Sequence, residues 1–479
     1  MGAGTSRETT ALTLHPDRLF PAEPTVRSIA RELYESVAGL PIVSPHGHCD
    51  PAWFALDRPF GSPTELLVTP DHYLTRMLHS QGVRLEDLGV RPLGGSAASP
   101  RDAWRTFAAH AHLFRGTPTG LWLDHTFATV FGFEVRLGPT TADDYYDLIS
   151  EALAGAAFRP RALFERFSIE VLATTESPVD DLAHHDRLIA DGWGGPKGRI
   201  ITTLRADPVV DPTYDGFADN VALLGELTGC DVTNWRGYLD ALRRRRVEFQ
   251  ARGATATDHG HPSATTADLD PRRCQRLLDG ALAGTLDARD ADLFRGQLLV
   301  EMAAMSLDDG LVLQLHPGAR RNHSPRTLQR FGPDRGADIP GRTDYVDALR
   351  PLLDRFGLEP ELRIILFTLD ESAYARELAP LAGFYPSLTL GPPWWFFDSV
   401  EGMWRYRRAV TETAGFANTA GFNDDTRAFL SIPARHDTAR RVDCAYLATL
   451  VAEHRLSVDD ATEIASELAG DLARRAYRL

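Results

Sequence analysis

Short apolar segments alternate with helix-like segments along most of the chain. Eight such segments are found, namely LPIVS near 40–44, IEVLATT near 169–175, RIITTL near 199–204, ATATD near 254–258, LVLQLH at 311–316, RIILFTL at 363–369, PSLTLGP at 386–392 and TAGFND at 419–424. Strands that alternate with helices form a parallel sheet through βαβ units. Eight strand-like segments that alternate with helices favour an α/β fold of the (β/α)8 TIM-barrel type. ATATD is the least strand-like of the eight, because it reads equally well as a loop.

A barrel of this type needs only ~250 residues, whereas the chain has 479. More than 120 residues separate the first two apolar segments, and this stretch contains amphipathic, helix-like sequences such as DHYLTRMLHSQGV and DDYYDLISEALA. We therefore predict an N-terminal segment with strand 1 over residues 1–59 and a helical insertion over 60–165. The rest of the barrel, with one long terminal helix, is expected over 166–479.

The charge and cysteine patterns exclude several classes of function. The chain has 51 basic and 66 acidic residues and a formal charge of −15, which disfavours nucleic acid and anionic membranes as partners. The DALRRRRVEF stretch, with Arg243 to Arg246, is accordingly interpreted as a solvated helix face. Four scattered cysteines without a C-x-x-C motif indicate neither a zinc–thiolate site nor a disulfide framework. A reduced, cytoplasmic compartment is expected.

The single lysine and the first residues of the sequence further limit the reaction types and the cellular locations that are expected. Lys197 is the single lysine, so Schiff-base catalysis and a carbamylated-lysine bridge between two metals are not expected. The first residues, MGAGTS, fit the loose myristoylation pattern. However, no basic patch follows, and the layout of a signal peptide is missing.

Polar residues follow six of the eight segments directly. They are His46 and His48, Glu176, Arg205, Asp258 and His259, His316, and Asp424 and Asp425. In a barrel of this class the active site lies at the carboxyl ends of the strands. The pattern therefore predicts one active site built from these side chains.

His46 and His48 stand two residues apart just after the first segment, so they are expected on the same side of the strand. Two imidazoles and one carboxylate with an open position form a typical catalytic site for a divalent ion. Strand 8 lies beside strand 1 in a closed barrel, so Asp424 or Asp425 can supply the carboxylate. Zinc is the default for such ligands, and manganese also fits. Alternatively, one histidine caps the strand end by hydrogen bonding.

Several stretches carry a resemblance to a known family. They are PDHYLTRMLHSQGV, TTLRADP, GATATDHG, LQLHPGARRNHS, GPPWWFFDSVEGM and NDDTRAFLSIPARHD. Together they resemble the uronate isomerases of the amidohydrolase superfamily, from about residue 40 to the C-terminus. The Trp-Trp block and the Asp-Thr-Arg block are the specific ones. The resemblance selects Asp425 over Asp424 as the third metal ligand beside His46 and His48.

The resemblance implies interconversion of an aldose uronate and a ketose uronate, such as glucuronate and fructuronate or galacturonate and tagaturonate. A proton would move from C2 to C1 through an enediol. Asp425 is the implied base, with Asp258 or His259 as substitutes, and Tyr73 beside His72 would move a proton between the enediol oxygens. The expected substrate-binding residues are Arg205, Arg427, Arg321, His316, Trp394, Asp258 and His259. Arginines suit the substrate because they fork onto a carboxylate.

Simpler interpretations exist for most of these residues. Asp71 could cap an ordinary helix that begins at His72 and Tyr73, Asp258-His259-Gly260 could form a turn, and His316 could be a hydrogen-bonded core histidine. Trp394 and Trp395 could serve packing alone.

The sequence also departs from the family pattern. Ser44, Leu74 and Glu176 replace residues that the family usually has, which leaves the preferred sugar acid open. A metal-dependent hydrolase or decarboxylase acting on an anionic substrate is the alternative function, and a catalytically inactive sugar-acid binder is a third. We expect a small sugar acid as the ligand and a homo-oligomeric assembly.

Overall fold

The computed structural model describes residues 10–196 and 198–479. The MGAGTS stretch and Lys197, with the expectations attached to them, lie outside the described residues. Across the described part of the chain, none of the helices has both the length and the apolar character that crossing a membrane requires.

A curled sheet of seven parallel strands forms the centre of the molecule. The strands, in spatial order, are β1 (Ile42–Ser44), β2 (Ile169–Glu176), β3 (Ile200–Arg205), β4 (Ala256–His259), β5 (Val312–Leu315), β8 (Ile364–Leu366) and β9 (Leu388–Leu390). A separate antiparallel pair consists of β6 (Ala319–Arg320) and β7 (Ile339–Pro340). Seven of the eight predicted segments are therefore strands, including ATATD, and the (β/α)8 barrel class is confirmed.

The eighth segment, TAGFND, is not a regular strand. It makes one parallel bridge, Leu390 to Thr419, and Ala420 N–H donates to the Leu390 carbonyl at 2.8 Å. Gly421 then has a φ of +71°, in the left-handed region, so pairing cannot continue along an extended backbone. We call residues 419–426 the closing segment, because it fills the place of the eighth strand.

Among residues 10–196 and 198–479, twenty-one α-helices surround the sheet. Their bounds are α1 Pro24–Val37, α2 Pro51–Leu56, α3 Pro63–Leu67, α4 His72–Ser80, α5 Pro100–Ala109, α6 Pro118–Thr129, α7 Ala142–Ala154, α8 Pro160–Arg166, α9 Ala183–Ala190, α10 Asp207–Val210, α11 Phe217–Thr228, α12 Trp235–Ala251, α13 Pro271–Leu282, α14 Ala288–Asp309, α15 Pro325–Phe331, α16 Arg350–Phe356, α17 Ala379–Ala382, α18 Val400–Ala414, α19 Ile432–Ala452, α20 Val458–Ser466 and α21 Leu472–Tyr477. The predicted terminal helix is interrupted by a π-helical turn at Glu467–Asp471.

Helices α3 to α8 fall between β1 and β2, in the region of the predicted insertion. Their buried aromatic residues, such as Trp104, Phe107 and Phe164, share one apolar cluster with Ile42 of β1 and Ile169 of β2. These helices therefore have no core separate from the barrel. The division of the chain after residues 59 and 165 stays a prediction.

The interpretation of Arg243 to Arg246 as a solvated face is wrong for half of the run. Arg245 and Arg246 are buried, whereas Arg243 is exposed. Arg246 bonds both carboxylate oxygens of Asp309 and the hydroxyl of Ser306 on α14. Because all four residues carry the same charge, the sequence does not show the helical periodicity that turns two of the four positions inward.

Candidate active site

The H-x-H loop after β1 meets the closing segment. The backbone N–H of His48 donates to the carbonyl of Thr426 at 3.0 Å, and the hydroxyl of Thr175 donates to the carbonyl of Gly47 at 2.8 Å. Asp425 has a φ of +37°, an unusual conformation for a residue with a side chain. This backbone arrangement turns the Asp425 carboxylate toward the two imidazoles.

The three predicted metal ligands lie together. The Nε2 atoms of His48 and His46 are 3.0 Å and 3.6 Å from Asp425 Oδ1. Burial lowers the pKa of His46 to about 4, so its imidazole is neutral at pH 7. Burial opposes ionisation of Asp425, but the neighbouring imidazoles outweigh it and hold the Asp425 pKa far below its usual range. His46 and Asp425 thus have the protonation states that metal binding requires.

His316 and Asp258 adjoin this trio. The Nδ1 atom of His316 is 2.7 Å from Asp258 Oδ1, and the His316 Nε2 atom is 3.9 Å from Asp425 Oδ2. The His316 ring stacks on those of His46 and Phe367, with centroid distances of 4.9 Å and 3.9 Å. His316 is thus both packed in the core, as the simpler interpretation holds, and directed into the site.

Arg205 is held between two carboxylates. Its Nε atom donates to Asp207 Oδ2 and its Nη1 atom to Asp258 Oδ2, both at 2.9 Å. Burial opposes ionisation of Asp258, but Arg205 and His316 outweigh it and hold the Asp258 pKa well below its usual range. Both oxygens of Asp258 are thus engaged, Oδ2 by Arg205 and Oδ1 by His316, which makes Asp258 a poor candidate for a general base.

His72 and Tyr73 begin α4, and Asp71 caps this helix by accepting from the N–H groups of Tyr73 and Leu74 at 2.8 Å and 3.3 Å. The capping interpretation is correct. The same helix start also presents both rings to the cavity, where they stack with centroids 4.8 Å apart. Burial raises the pKa of Tyr73, so its phenol keeps its proton at neutral pH.

One cavity of about 1340 Å³ contains these groups. Of the predicted site residues, it is lined by His46, His48, His72, Tyr73, Arg205, Asp258, His316, Arg321, Trp394, Asp425 and Arg427. His259 does not line the cavity and is buried behind its wall. Arg321 and Arg427 stand near the opening, each with about a third of its side chain exposed.

Sequence reasoning missed several charged residues of the cavity, among them Arg435 and Asp334. Arg435, on α19, lies over the ring of Trp122 at 3.7 Å and faces the ring of Tyr73 at 5.6 Å. Asp334 lies 3.6 Å from Arg427 and 3.9 Å from Arg321. Neither follows a strand, so the search at strand ends could not find them.

The three positions that depart from the family pattern lie outside the cavity lining. Ser44 and Leu74 are buried, and Leu74 packs in the apolar cluster of the inserted helices. Glu176 is buried and accepts a hydrogen bond from Thr202. Burial raises the pKa of Glu176 to about 8.

Comparison with known proteins agrees with this geometry. The family model for glucuronate isomerase matches residues 25–476. A uronate isomerase of Xanthomonas axonopodis pv. citri is 61% identical over 470 residues, which are 98% of this chain and 99% of that protein.

Solved structures give the same result. The crystal structure of glucuronate isomerase from Caulobacter crescentus superposes with a TM-score of 0.96 at 56% identity and covers 98% of this chain and 97% of that one. The uronate isomerase of Thermotoga maritima gives a TM-score of 0.89 at 26% identity, with 97% and 99% covered. The protein described here therefore belongs to the glucuronate isomerase family.

Proposed function

We propose that this isomerase interconverts an aldose hexuronate and its keto form, D-glucuronate with D-fructuronate or D-galacturonate with D-tagaturonate, by metal-assisted proton transfer through an enediol. One observation carries the proposal. His46, His48 and Asp425 converge in a cavity that is also lined by several arginines, among them Arg205, Arg321 and Arg427. An ion site and positive charge in one cavity suit a polyhydroxylated anion.

The residues fit one divalent cation. Metal bonds of about 2.0 Å in a tetrahedral site imply ligand separations of about 3.3 Å, and the two imidazole–carboxylate distances are 3.0 Å and 3.6 Å. His46, His48 and Asp425 would hold the ion, with zinc favoured by the N,N,O ligand set and manganese also compatible. When bound, such an ion polarises a substrate oxygen.

Arg427 and Arg321 are the proposed anchors of the substrate carboxylate. Arg427 lies 3.6 Å from Asp334, and Arg321 lies 3.5 Å from Asp338 and 3.9 Å from Asp334, so their ion pairs are long, and both arginines are accessible from the cavity. A substrate carboxylate can therefore replace these loose partners and form shorter, charge-assisted hydrogen bonds. Arg205 contributes as a substrate-binding residue whose position Asp207 and Asp258 fix. His316 and Trp394 complete the wall.

Proton transfer is assigned to Asp425 and Tyr73. Asp425 is ionised, and its Oδ2 atom, 3.9 Å from His316 Nε2, is free to take the C2 proton and return it to C1. Tyr73 keeps its proton at neutral pH and can therefore exchange it between the two oxygens of the enediol. His72, stacked on Tyr73, orients the phenol.

The test is product identification by NMR after incubation with glucuronate and with galacturonate in deuterium oxide. We expect a ketose, with deuterium at the carbon next to its carbonyl and without release of acid, amine or carbon dioxide. The Asp425→Asn variant should lose both turnover and exchange of the C2 proton. Release of carbon dioxide, or an inert C2 proton with both sugars, would overturn the proposal.

The hydrolase or decarboxylase alternative is not favoured, because the relatives from Xanthomonas axonopodis pv. citri and Caulobacter crescentus, which share 61% and 56% identity with this chain, are named as uronate or glucuronate isomerases. A cytoplasmic location is proposed on the basis of the four cysteines, all of which are free thiols. Self-association of the chain stays a prediction.

A further inference from the structure

A second group of potential metal ligands lies at the cavity wall, where Asp207 lines the cavity and His259 and His261 lie behind it. Asp207 starts α10 just after β3, His259 ends β4, and His261 follows two residues later. All three residues are buried, with relative exposures of 6%, 1% and 2%. They connect the carboxyl ends of two neighbouring strands and share no residue with the trio of His46, His48 and Asp425.

The histidines of this group lack hydrogen-bond partners. Within the described residues, neither ring nitrogen of His261 has one, and Nδ1 of His259 has none. A buried polar group left without a partner costs about 1–3 kcal/mol. Three such nitrogens in one place therefore indicate that a ligand occupies the space between them.

The geometry of the group suits a cation. One donor atom from each residue lies within 4.8 Å of the other two, and His261 Nε2 is 3.9 Å from Asp207 Oδ1. Nε2 of His259 is engaged with the Thr257 hydroxyl at 3.2 Å, which leaves Nδ1 free to bind and fixes the ring. The donors need to approach by roughly 1 Å to reach the separations of a zinc site.

The local charge also favours a cation. Two guanidinium groups, that of buried Arg295 and that of partly exposed Arg205, lie beside the histidines, and they are contacted by four carboxylates. Arg205 pairs with Asp207 and Asp258, and Arg295 pairs with Asp211 and Asp292. Among these six groups, negative charge exceeds positive charge by two, which is the charge that a divalent ion would neutralise.

We propose that Asp207, His259 and His261 bind a second divalent cation of the zinc class. This ion would join the ends of β3 and β4 and thereby fix the wall that carries Arg205 and Asp258. The site stands apart from the isomerase reaction, since none of its three residues takes part in the proton transfer. It also gives His259 a role other than the predicted contact with substrate.

Zinc stoichiometry tests the proposal. The purified protein is stripped with a chelator, reloaded with zinc, dialysed and measured by mass spectrometry. Wild type should hold two zinc ions per chain, the His261→Gln and Asp425→Asn variants one each, and the double variant none. His185→Gln, which alters another buried histidine, should retain two. A wild type with one ion, or a His261→Gln variant with two, would overturn the proposal.

A second measurement guards against misfolding of the variants. Diffraction data from zinc-loaded wild-type crystals, collected on both sides of the zinc edge, should show an anomalous peak between His261 Nε2 and Asp207 Oδ1. Density at this place without anomalous signal would identify a water molecule and refute the metal site. This outcome is independent of whether the enzyme isomerises uronates.

Discussion

Tyr73 combines two features at the scale of a single residue. Burial keeps its phenol protonated, and the guanidinium of Arg435 faces its ring at 5.6 Å. The Tyr73→Phe variant should therefore keep the fold but lose a proton donor, so kcat should fall ~10²- to 10⁴-fold while KM changes little. Steady-state kinetics with glucuronate measure this. Tyr214→Phe, which removes another phenol of the cavity, is the matched control, and equal losses in both variants would contradict the assignment.

Glu176 makes stability depend on pH. Burial raises its folded-state pKa to about 8, from the ordinary value of 4.5 for an exposed glutamate. Between these values the folded state binds more protons than the unfolded state, so the free energy of unfolding falls as pH rises through this window. The wild type should therefore lose stability relative to Glu176→Gln between about pH 4.5 and pH 8.

Urea unfolding of both proteins across this range measures the difference. Glu35→Gln, on the exposed side of α1, controls for the loss of one negative charge. A constant difference between wild type and Glu176→Gln across the range would contradict the raised pKa.

The convergence of His46, His48 and Asp425 could be predicted from the sequence, because strand geometry fixes which residues share a face, barrel topology fixes which ends meet, and the family resemblance selects Asp425 over Asp424. Arg435 could not be predicted as a cavity residue, because an arginine on a long helix is normally expected at the surface. It is nevertheless buried and bonded to Asp398. Its position beside the ring of Tyr73 results from tertiary packing.

At the scale of elements, the buried ion pair between α12 and α14 links two outer helices. Arg246→Ala would leave Asp309 without its partner in a largely buried place, and breaking such a pair typically costs about 3–5 kcal/mol. Arg243→Ala, three residues earlier and paired with Asp240 on the surface, should cost less than about 1 kcal/mol. Chemical denaturation of the two variants gives both values, and equal losses would contradict the burial of Arg246.

The eighth segment shows where pattern alone fails at this scale. Its composition is strand-like, yet the left-handed glycine at position 421 and the unusual backbone of Asp425 bend it out of the sheet. The bend is what directs Asp425 toward the histidines. The sequence thus predicts the location of this segment correctly, but its conformation follows from the closure of the barrel.

At the scale of the whole molecule, the ion site joins residues almost 380 positions apart, from His46 to Asp425. An ion that binds only the folded state stabilises it by mass action, by about 2.7 kcal/mol at a hundred times its dissociation constant. Chelator treatment should therefore abolish activity and lower Tm by several degrees, and zinc or manganese should restore both. Asp425→Asn should show a smaller recovery of Tm, and an unchanged activity after complete removal of metal would contradict the account.

The central claim is that one cation is held jointly by the first strand end and the closing segment. Anomalous diffraction at the absorption edge of the bound metal, from crystals of the active enzyme, tests it most directly. The account predicts a peak about 2.0–2.2 Å from Nε2 of His46, Nε2 of His48 and an oxygen of Asp425. An active enzyme whose anomalous map is empty between these three atoms would contradict it.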